Sequence, residues 1–528
     1  MLGASILQEV TVAPPAGYDG PSLAELARTV NTESTETRTV TAPFTGAPVG
    51  TVPSCTPADM RRAVERARAA QTEWGDRSVT ERVTSIERFR SLVRKHQGDL
   101  LDLVQLESGK TRYDAMEEVL DVELTASHYA TKAPEYLTAR RRTGLIPLVT
   151  RVREHRDPHG VAGFITPWNY PLTLAVSDAL PALLAGNGVV IKPAEATPHT
   201  ALFVAELLRE AGVPEGCVQV VPGVGTSLGP PLIENVDHVS FTGSTETGRE
   251  VAAQAGRELT PASLELGGKG PMIVREDAPR ERTVTGAVRG AFASAGQLCI
   301  AVERIFVHES RADSFRDRLV ERTRGLDVGT GFDYGPDVGS LVSERQLEKV
   351  ATQVTEAVDA GATLLTGGRR RPDVGPFVYE PTVLTDVPED TALAREETFG
   401  PVVTIESVPD DETALARAND TEYGLHGTVW TDDTAAGRDV ARRMECGTVA
   451  VNDVHIAMWG STDAPMGGRK DSGVGRRHGE AGFEKYTQSQ SVVVQHGHPL
   501  APPSGLPNRL AARGAAGFVR LAQRLGLR

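Results

Sequence analysis

The stretch "GNGVVIKPAEATPHTALFVAELLREAGVPEGCVQVVPG", residues 186–223, holds two short β-rich runs on either side of a helix-compatible segment. "GNGVVIK" and "CVQVVPG" read as strands, and "PHTALFVAELLREAG" reads as a helix for which Gly212 is a natural stop. The same alternation continues outward from Gly160, with strand-like runs in "GVAGFI", "DHVSFTG", "PMIV" and "RIFVH". Strands alternating with helices predict a parallel α/β sheet wound by crossover helices, an architecture suited to binding nucleotides.

The chain before Gly160 is predicted to be largely helical. Thr56-Pro57-Ala58-Asp59 offers a hydroxyl cap, a proline at the first helical position and a carboxylate near the positive end of the helix dipole, so a helix should run to about Trp74. Val83, Ile86, Phe89 and Val93 recur at helical spacing and predict a second amphipathic helix. "PLVTRVREHRDPHG" at 147–160 and "KYTQSQSVVVQH" at 485–496 alternate apolar or β-branched with polar residues, as half-buried strands do, and are expected to form a sheet together. The C-terminal "PNRLAARGAAGFVRLAQRLGLR" carries five arginines with Leu510, Phe518, Leu521 and Leu525. Gly514 and Gly517 weaken this amphipathic helix, which is expected to fray or to pack on a neighbouring subunit, contact with a membrane surface being the third reading.

At 528 residues the chain is too long for one ordinary core. Its formal charge of −14 argues against a nucleic-acid partner, which would need a concentrated basic face. "MLGASILQEV" lacks a basic start and meets Glu9 early, unlike a secretory signal, and "VAGFITPWNYPLTLAV" is broken by Pro167, Asn169 and Pro171, unlike a membrane span. Cys55, Cys217, Cys299 and Cys446 are scattered, a poor disulfide framework and a poor metal site, so no metal is expected and a cytoplasmic location is.

Several segments suit chemistry. In "FTGSTETG", Gly243 and Gly248 bracket a Ser/Thr-rich turn where backbone amides at a helix start could hold a pyrophosphate, although an ordinary strand-to-helix turn has the same look. Lys192 and Glu195 in "IKPAEATP" suit the vicinal hydroxyls of a ribose, or form a solvated ion pair. Asn169 in "TPWNYP" either donates to a developing oxyanion or serves as a turn residue. Glu265 in "LELGGKGP" either is a desolvated general base beside glycines that permit close backbone approach, or is a surface glutamate in a turn. Cys299 in "GQLCIAVER" is by itself either a nucleophile or a small hydrophobe in a core.

Taken together, "TPWNYP", "IKPAEATP", "FTGSTETG", "LELGGKGP", "GQLC" and "EETFGPV" resemble, in order and approximate spacing, the aldehyde dehydrogenase superfamily from about residue 40 to 490. "PWNYPLTLAVSDALPAL", "AGQLCIAVERI" and "APMGGRKDSGVGRRHG" look most like its bacterial succinate-semialdehyde dehydrogenase branch. The resemblance implies an α/β fold with a Rossmann-type cofactor domain (36–146 and 160–266), an α/β catalytic domain (267–484) and a small β oligomerisation element (147–159 and 485–497), flanked by an N-terminal extension (1–35) and a basic tail (498–528). Dimers or tetramers of the chain are expected, which would also protect exposed β edges.

The resemblance also implies roles. Cys299 would be the nucleophile, Glu265 the general base and Asn169 the side-chain oxyanion donor. Lys192 and Glu195 would hold the adenosine ribose, Gly225 would lie beside the adenine, and Gly243 and Ser244 would hold the pyrophosphate. Glu397 would hold the nicotinamide ribose and Phe399 would pack near the ring, with Ile165, Thr166, Pro167, Trp168, Gly229, Thr247, Leu266 and Gly267 completing the cofactor set. Members that pass the acyl group to coenzyme A usually lack the glutamate, so Glu265 favours a free-acid product. A carboxylate at Glu195 favours NAD, because it accepts from both ribose hydroxyls and repels a 2′-phosphate; Lys192 leaves NADP use open.

For the substrate, the succinate-semialdehyde enzymes clamp a remote carboxylate with arginines where this chain has Ser177 and Ala293. "VHIAMWGST", with His455, Met458 and Trp459, either lines an apolar or aromatic tunnel or packs as an ordinary loop. The resemblance implies succinate semialdehyde as substrate, and the missing arginines keep a medium-chain or aromatic aldehyde as the alternative. A different class of reading, a binding or structural protein on the same fold, predicts no reduced cofactor with any aldehyde.

Overall fold

The computed structural model describes residues 14–146, 149–496 and 505–524. The strands Val161–Ile165, Gly188–Lys192, Val218–Val220, His238–Thr242 and Ala262–Glu265 form one parallel sheet. Chain order runs outward from Val161–Ile165 through Gly188–Lys192 to Val218–Val220 on one side, and through His238–Thr242 to Ala262–Glu265 on the other. That reversal is a topological switch point, and α/β sheets bind ligands outside the carboxyl ends of their strands at such points. Four of these strands end at Ile165, Lys192, Thr242 and Glu265, so the segments following them all leave from one edge of the sheet.

A second sheet has seven strands, in the spatial order Thr363–Thr366, Thr382–Thr385, Val402–Val408, Val302–His308, Gly270–Val274, His426–Trp430 and Thr448–Val451. Only the outermost Thr363–Thr366 runs antiparallel to its neighbour. The buried cores reflect this division, one beneath the first sheet and the N-terminal helices and another around the second sheet.

The helix Pro57–Asp76 begins as its sequence predicts. Asp59 N donates to Thr56 Oγ1 at 3.2 Å and Thr56 N donates to the Asp59 carboxylate at 2.8 Å, a reciprocal cap that satisfies two otherwise orphaned amides. The helix Val79–Lys95 buries Ile86, Phe89 and Val93. Thr487–Gln495 pairs antiparallel with Thr150–Pro158 over its whole length, from Thr487 opposite Pro158 to Gln495 opposite Thr150. Residues 147 and 148, where this sheet was expected to begin, lie outside the described residues.

Several elements cut across the expected boundaries. Arg140–Arg142 is the third strand of the small sheet, although it falls within the range expected for the cofactor domain. Gly473–Val474, from the range expected for the catalytic domain, adds antiparallel to Ala262–Glu265 and closes that edge of the first sheet. Within the expected N-terminal extension, the helix Leu23–Arg28 buries Leu23, Leu26 and Ala27 in the core. The C-terminal helix Asn508–Arg524 runs through both Gly514 and Gly517; Ala511, Ala512, Ala515 and Ala516, strong helix formers, offset them. Leu510, Phe518 and Leu521 stand exposed on it, and Leu525 lies outside the described residues. Among the described residues, no helix is long and apolar enough to cross a membrane.

Candidate active site

Cys299 lies just before the strand Val302–His308, after a backbone that turns through three consecutive left-handed residues, Ser294 (φ 50°), Ala295 (φ 54°) and Gly296 (φ 69°). A run of this kind costs free energy and persists only where the surroundings impose it. Here Ser294 N donates to Asp114 Oδ2 at 3.0 Å, and Val342 N donates to Gln297 Oε1 at 2.9 Å. A Cβ on Gly296 would collide with the Gly400 carbonyl, which explains the glycine of "GQLC".

Of the four cysteines, Cys299 alone is not fully buried. It packs against an apolar cluster that includes Tyr170, Leu298, Ile300, Leu425 and Met466. Burial pushes its thiol up to about 12, the Glu397 and Glu265 carboxylates push the same way, and Arg477 opposes them.

The other predicted residues converge from the strand ends. Asn169, 5% exposed, donates its amide to the Gln297 carbonyl at 3.0 Å, two residues before the thiol. Gly268 packs so closely on the Cys299 carbonyl that no side chain would fit. Glu265 is 6% exposed and its Oε1 has no hydrogen-bond partner. Burial raises its pKa to about 7; Asp178 adds to the rise, while Arg477, Lys485 and Arg476 lower it.

Glu397 accepts from Gly268 N at 2.9 Å, and burial, with the Glu303 carboxylate, raises its pKa to about 7. A Cβ on Gly267 would stand 2.9 Å from the Glu397 carboxylate. Phe399 adopts φ 56°, an outlier for an aromatic residue, and meets Trp168 edge-to-face at 5.5 Å between ring centroids.

Farther along the same edge, Gly243 N donates to the Glu265 carbonyl at 3.1 Å. Ser244 caps the helix Thr245–Glu258 by accepting from Thr247 N at 3.3 Å. A Cβ on Gly248 would collide with Leu266, so this glycine serves helix–strand packing. Thr166 N donates to the Lys192 carbonyl at 3.1 Å, which fixes the start of the segment Thr166-Pro167-Trp168. Lys192 is 5% exposed, and Glu195 Oε1 accepts from Gly225 N at 3.2 Å at the start of the helix Gly225–Asn235. Gly225 leaves open the space beside the Lys192 ammonium, and a Cβ on Gly229 would meet only Ile165 Cδ1, at 4.0 Å. This bare glycine floor, the cation, the carboxylate and the helix start fit the adenosine half of a dinucleotide. Glu397, whose charge reaches the Cys299 thiol, and the Trp168–Phe399 pair fit its other end.

Four groups were not singled out from the sequence. Arg38, on the strand Thr37–Thr41, forms an ion pair with Glu195. Lys269 and Glu303 form a buried pair at 2.5 Å, and Glu303 also accepts from Thr398 N at 3.0 Å and from Phe399 N at 3.1 Å, which holds the strained Phe399 turn. Arg477, 5% exposed, lies 3.5 Å from Asp178, and its Nε has no hydrogen-bond partner. Although burial alone would raise Asp178, Arg477 and Lys485 hold its pKa at about 2. Lys269 and Glu303 lie within quoted motifs, yet pairing across 34 residues has no local signal.

Tyr170 and Trp459 meet with their rings tilted at 35° and 5.0 Å between centroids, and Trp459 and Cys299 pack against the same apolar cluster. Ser177, where a clamping arginine was sought, donates to Asp121 Oδ2 at 2.5 Å, and burial raises Asp121 to about 6. Ala293, the other such position, is buried.

Comparison with known proteins agrees with this architecture. A Mycolicibacterium smegmatis protein named "Putative succinate-semialdehyde dehydrogenase", with NADP(+) as its stated cofactor, is 44% identical over 511 residues, covering 97% of this chain and 99% of the relative. Betaine aldehyde dehydrogenase of Bacillus subtilis is 37% identical over 470 residues, covering 88% and 95%. The crystal structure of Staphylococcus aureus betaine aldehyde dehydrogenase in complex with NAD+ superposes with a TM-score of 0.86 at 33% identity, covering 92% of this chain and 99% of that one. With the sequence pattern of the aldehyde dehydrogenase family also matching residues 29–492, the chain belongs to that family of oxidoreductases.

Proposed function

We propose that the protein oxidises an aldehyde to the free carboxylic acid with NAD(P)+, through a thioester on Cys299. The observation that carries this reading is a buried carboxylate with an unpartnered oxygen, Glu265, whose charge acts on a partly exposed thiol, Cys299.

The thiol rests protonated, so its proton must pass to a base as sulfur adds to the aldehyde carbon; Glu265, with a pKa of about 7, is suited to take it. Asn169 has a second amide hydrogen beside the one used on Gln297, and with the Cys299 backbone N–H it steadies the alkoxide that forms. The cofactor, when bound, supplies the hydride acceptor that turns this adduct into a thioester. Lys192, Glu195 and Gly225 would hold its adenosine ribose and adenine, Gly243, Ser244 and Thr247 its pyrophosphate, and Glu397 its nicotinamide ribose, with Phe399 near the ring. Glu265 gives the thiol proton up to solvent, then takes a proton from water as the oxygen adds to the thioester carbon, and returns that proton to the sulfur as the C–S bond breaks, which releases the acid and restores the thiol.

Succinate semialdehyde, the first candidate substrate, has the support of the M. smegmatis relative's name. The second reading, an uncharged aldehyde with an apolar or aromatic chain, is favoured by the Tyr170–Trp459 ring pair and by Asp121 occupying the Ser177 hydroxyl. The ratio of kcat/KM for succinate semialdehyde to that for an uncharged aldehyde of similar length decides between them. A value well above one supports the first reading; a value well below one supports the second. No reduced cofactor with any of a panel of aldehydes would remove the enzymatic reading altogether.

The four unpaired thiols fit a reducing compartment, which supports a cytoplasmic location. Thr487–Gln495, whose outer edge is unpaired among the described residues, supports a homodimer or homotetramer joined along that strand.

A further inference from the structure

We propose that the C-terminal helix Asn508–Arg524 docks the protein on an anionic phospholipid surface: it lies in the plane of the headgroups, with its apolar face toward the acyl chains and its arginines among the lipid phosphates. The proposal is independent of the reaction at Cys299. Arg509, Arg513, Arg520 and Arg524 follow one another at intervals of four, seven and four residues, which at 3.6 residues per turn gathers them into a stripe about 60° wide. Leu510, Phe518, Val519 and Leu521, with Ala511, Ala515 and Ala522 between them, fill the opposite half of the circumference. No acid interrupts either face: from Lys485 to Arg528 the sequence holds no aspartate or glutamate, although the chain as a whole has a formal charge of −14.

The fold leaves both faces unused. Ala522 is the one buried residue of the helix, while Leu510, Phe518 and Leu521 are 53%, 42% and 56% exposed. Among the described residues, exposed arginines of the body reach carboxylates, as Arg318 does Glu321 at 2.6 Å and Arg370 does Glu344 at 3.0 Å, whereas none of the four helix arginines does. Arg520 Nε donates instead to the Ala516 carbonyl of its own helix, at 3.3 Å. A cationic stripe without counter-charge beside an apolar face without cover is a pairing of features that marks helices lying at a membrane surface.

An anionic leaflet satisfies both faces at once. An acidic patch on a protein would draw the arginines and leave Leu510, Phe518 and Leu521 in water; an apolar groove would bury these three and leave the arginines without counter-charge. A leaflet presents an apolar layer beneath a plane of phosphates. Arginine side chains are long enough to reach that plane while the leucines and the phenylalanine sink below it, and the planar guanidinium fork matches phosphate oxygens. At 1.5 Å per residue the helix is about 25 Å long, and with four arginines it suits a position in the surface, since no described helix is long and apolar enough to span.

Co-sedimentation of the full chain with lipid vesicles tests this. The chain is expected to bind vesicles of phosphatidylglycerol and phosphatidylcholine in equal parts, to bind pure phosphatidylcholine at least about 10-fold more weakly, and to lose affinity for the anionic vesicles as salt is raised. Arg513→Gln together with Arg520→Gln should weaken binding to the anionic vesicles about 5-fold for each charge removed, and Phe518→Asp should weaken it at least about 10-fold. Both variants should keep the parent's unfolding midpoint in denaturant and its solution mass by light scattering. No binding to the anionic vesicles, equal binding to both kinds of vesicle, or full binding by Phe518→Asp would overturn the proposal. A solution mass lowered by Phe518→Asp would also overturn it, and would assign the apolar face to a second copy of the chain.

Discussion

Asn169 donates its side-chain amide to the Gln297 carbonyl at 3.0 Å, tying the loop after the strand Val161–Ile165 to the backbone that presents Cys299. The donor is thereby fixed before any substrate arrives, which makes a dipole effective against charge that develops only in the transition state. Asn169→Ala is expected to lower kcat by about 10²- to 10³-fold with a smaller change in KM. Steady-state kinetics on a good substrate checks this, and a variant with parental kcat would remove Asn169 from the chemistry.

The pH dependence of thioester hydrolysis should follow Glu265, which acts as its carboxylate. Burial raises its pKa to about 7, so the rate should climb as pH rises through that value and level above it. The charged groups around it are Arg477, Lys485 and Arg476, which favour the ionised form, and Asp178, which opposes it; its own charge raises the pKa of the Cys299 thiol. Arg477→Gln removes the strongest of the cations, so the rise should move to higher pH, and Arg477→Lys should restore part of the original profile. An unmoved profile would show that Arg477 does not set the ionisation of the base.

The buried Lys269–Glu303 pair should matter for stability and for the cofactor together. Glu303→Gln leaves the Lys269 charge buried without its counter-ion and weakens the acceptor for Thr398 N and Phe399 N. The expected loss is about 3–5 kcal/mol in denaturant unfolding, with a raised KM for the cofactor because the Phe399 turn loosens. A loss below about 1 kcal/mol would mean that the site relaxes around the change.

The strand Thr487–Gln495 exposes Val492, Val493 and Val494 by 42%, 59% and 46%. If copies of the chain join along it, Val493→Asp should reduce the solution mass measured by light scattering toward that of one chain, whereas Leu259→Asp, at another exposed position, should not. An unchanged mass in the Val493 variant would place the interface elsewhere.

Much of the fold was legible because its signals are local. Gly212 ends its helix with φ +99°, Thr56 and Asp59 cap each other, and each strand-like run from "GVAGFI" to "RIFVH" is a strand. The position of Asn169, Lys192 and Glu265 at or just beyond strand ends follows from the same alternation. What escaped was pairing between distant segments. Arg38 meets Glu195, Lys269 meets Glu303, Arg477 meets Asp178, and Gly473–Val474 meets Ala262–Glu265; none of these is encoded in periodicity or spacing. Asp121 is the clearest case, since the missing arginine at Ser177 was visible in the sequence but the acid that bonds that serine was not. In the tail, the amphipathic helix read from the sequence runs on through both glycines, whose cost four alanines offset.

The central claim is that Cys299 carries the acyl group and Glu265 hydrolyses it. Single-turnover kinetics of Glu265→Gln, with reduced cofactor followed by absorbance and the acyl group located by mass spectrometry, tests both halves at once. The account predicts about one reduced cofactor per subunit, formed more slowly than in the parent because Glu265 also takes the thiol proton, then hydrolysis slowed further still, and an acyl group on the peptide containing Cys299. Hydrolysis as fast as in the parent protein, or an acyl group on any other residue, would contradict it.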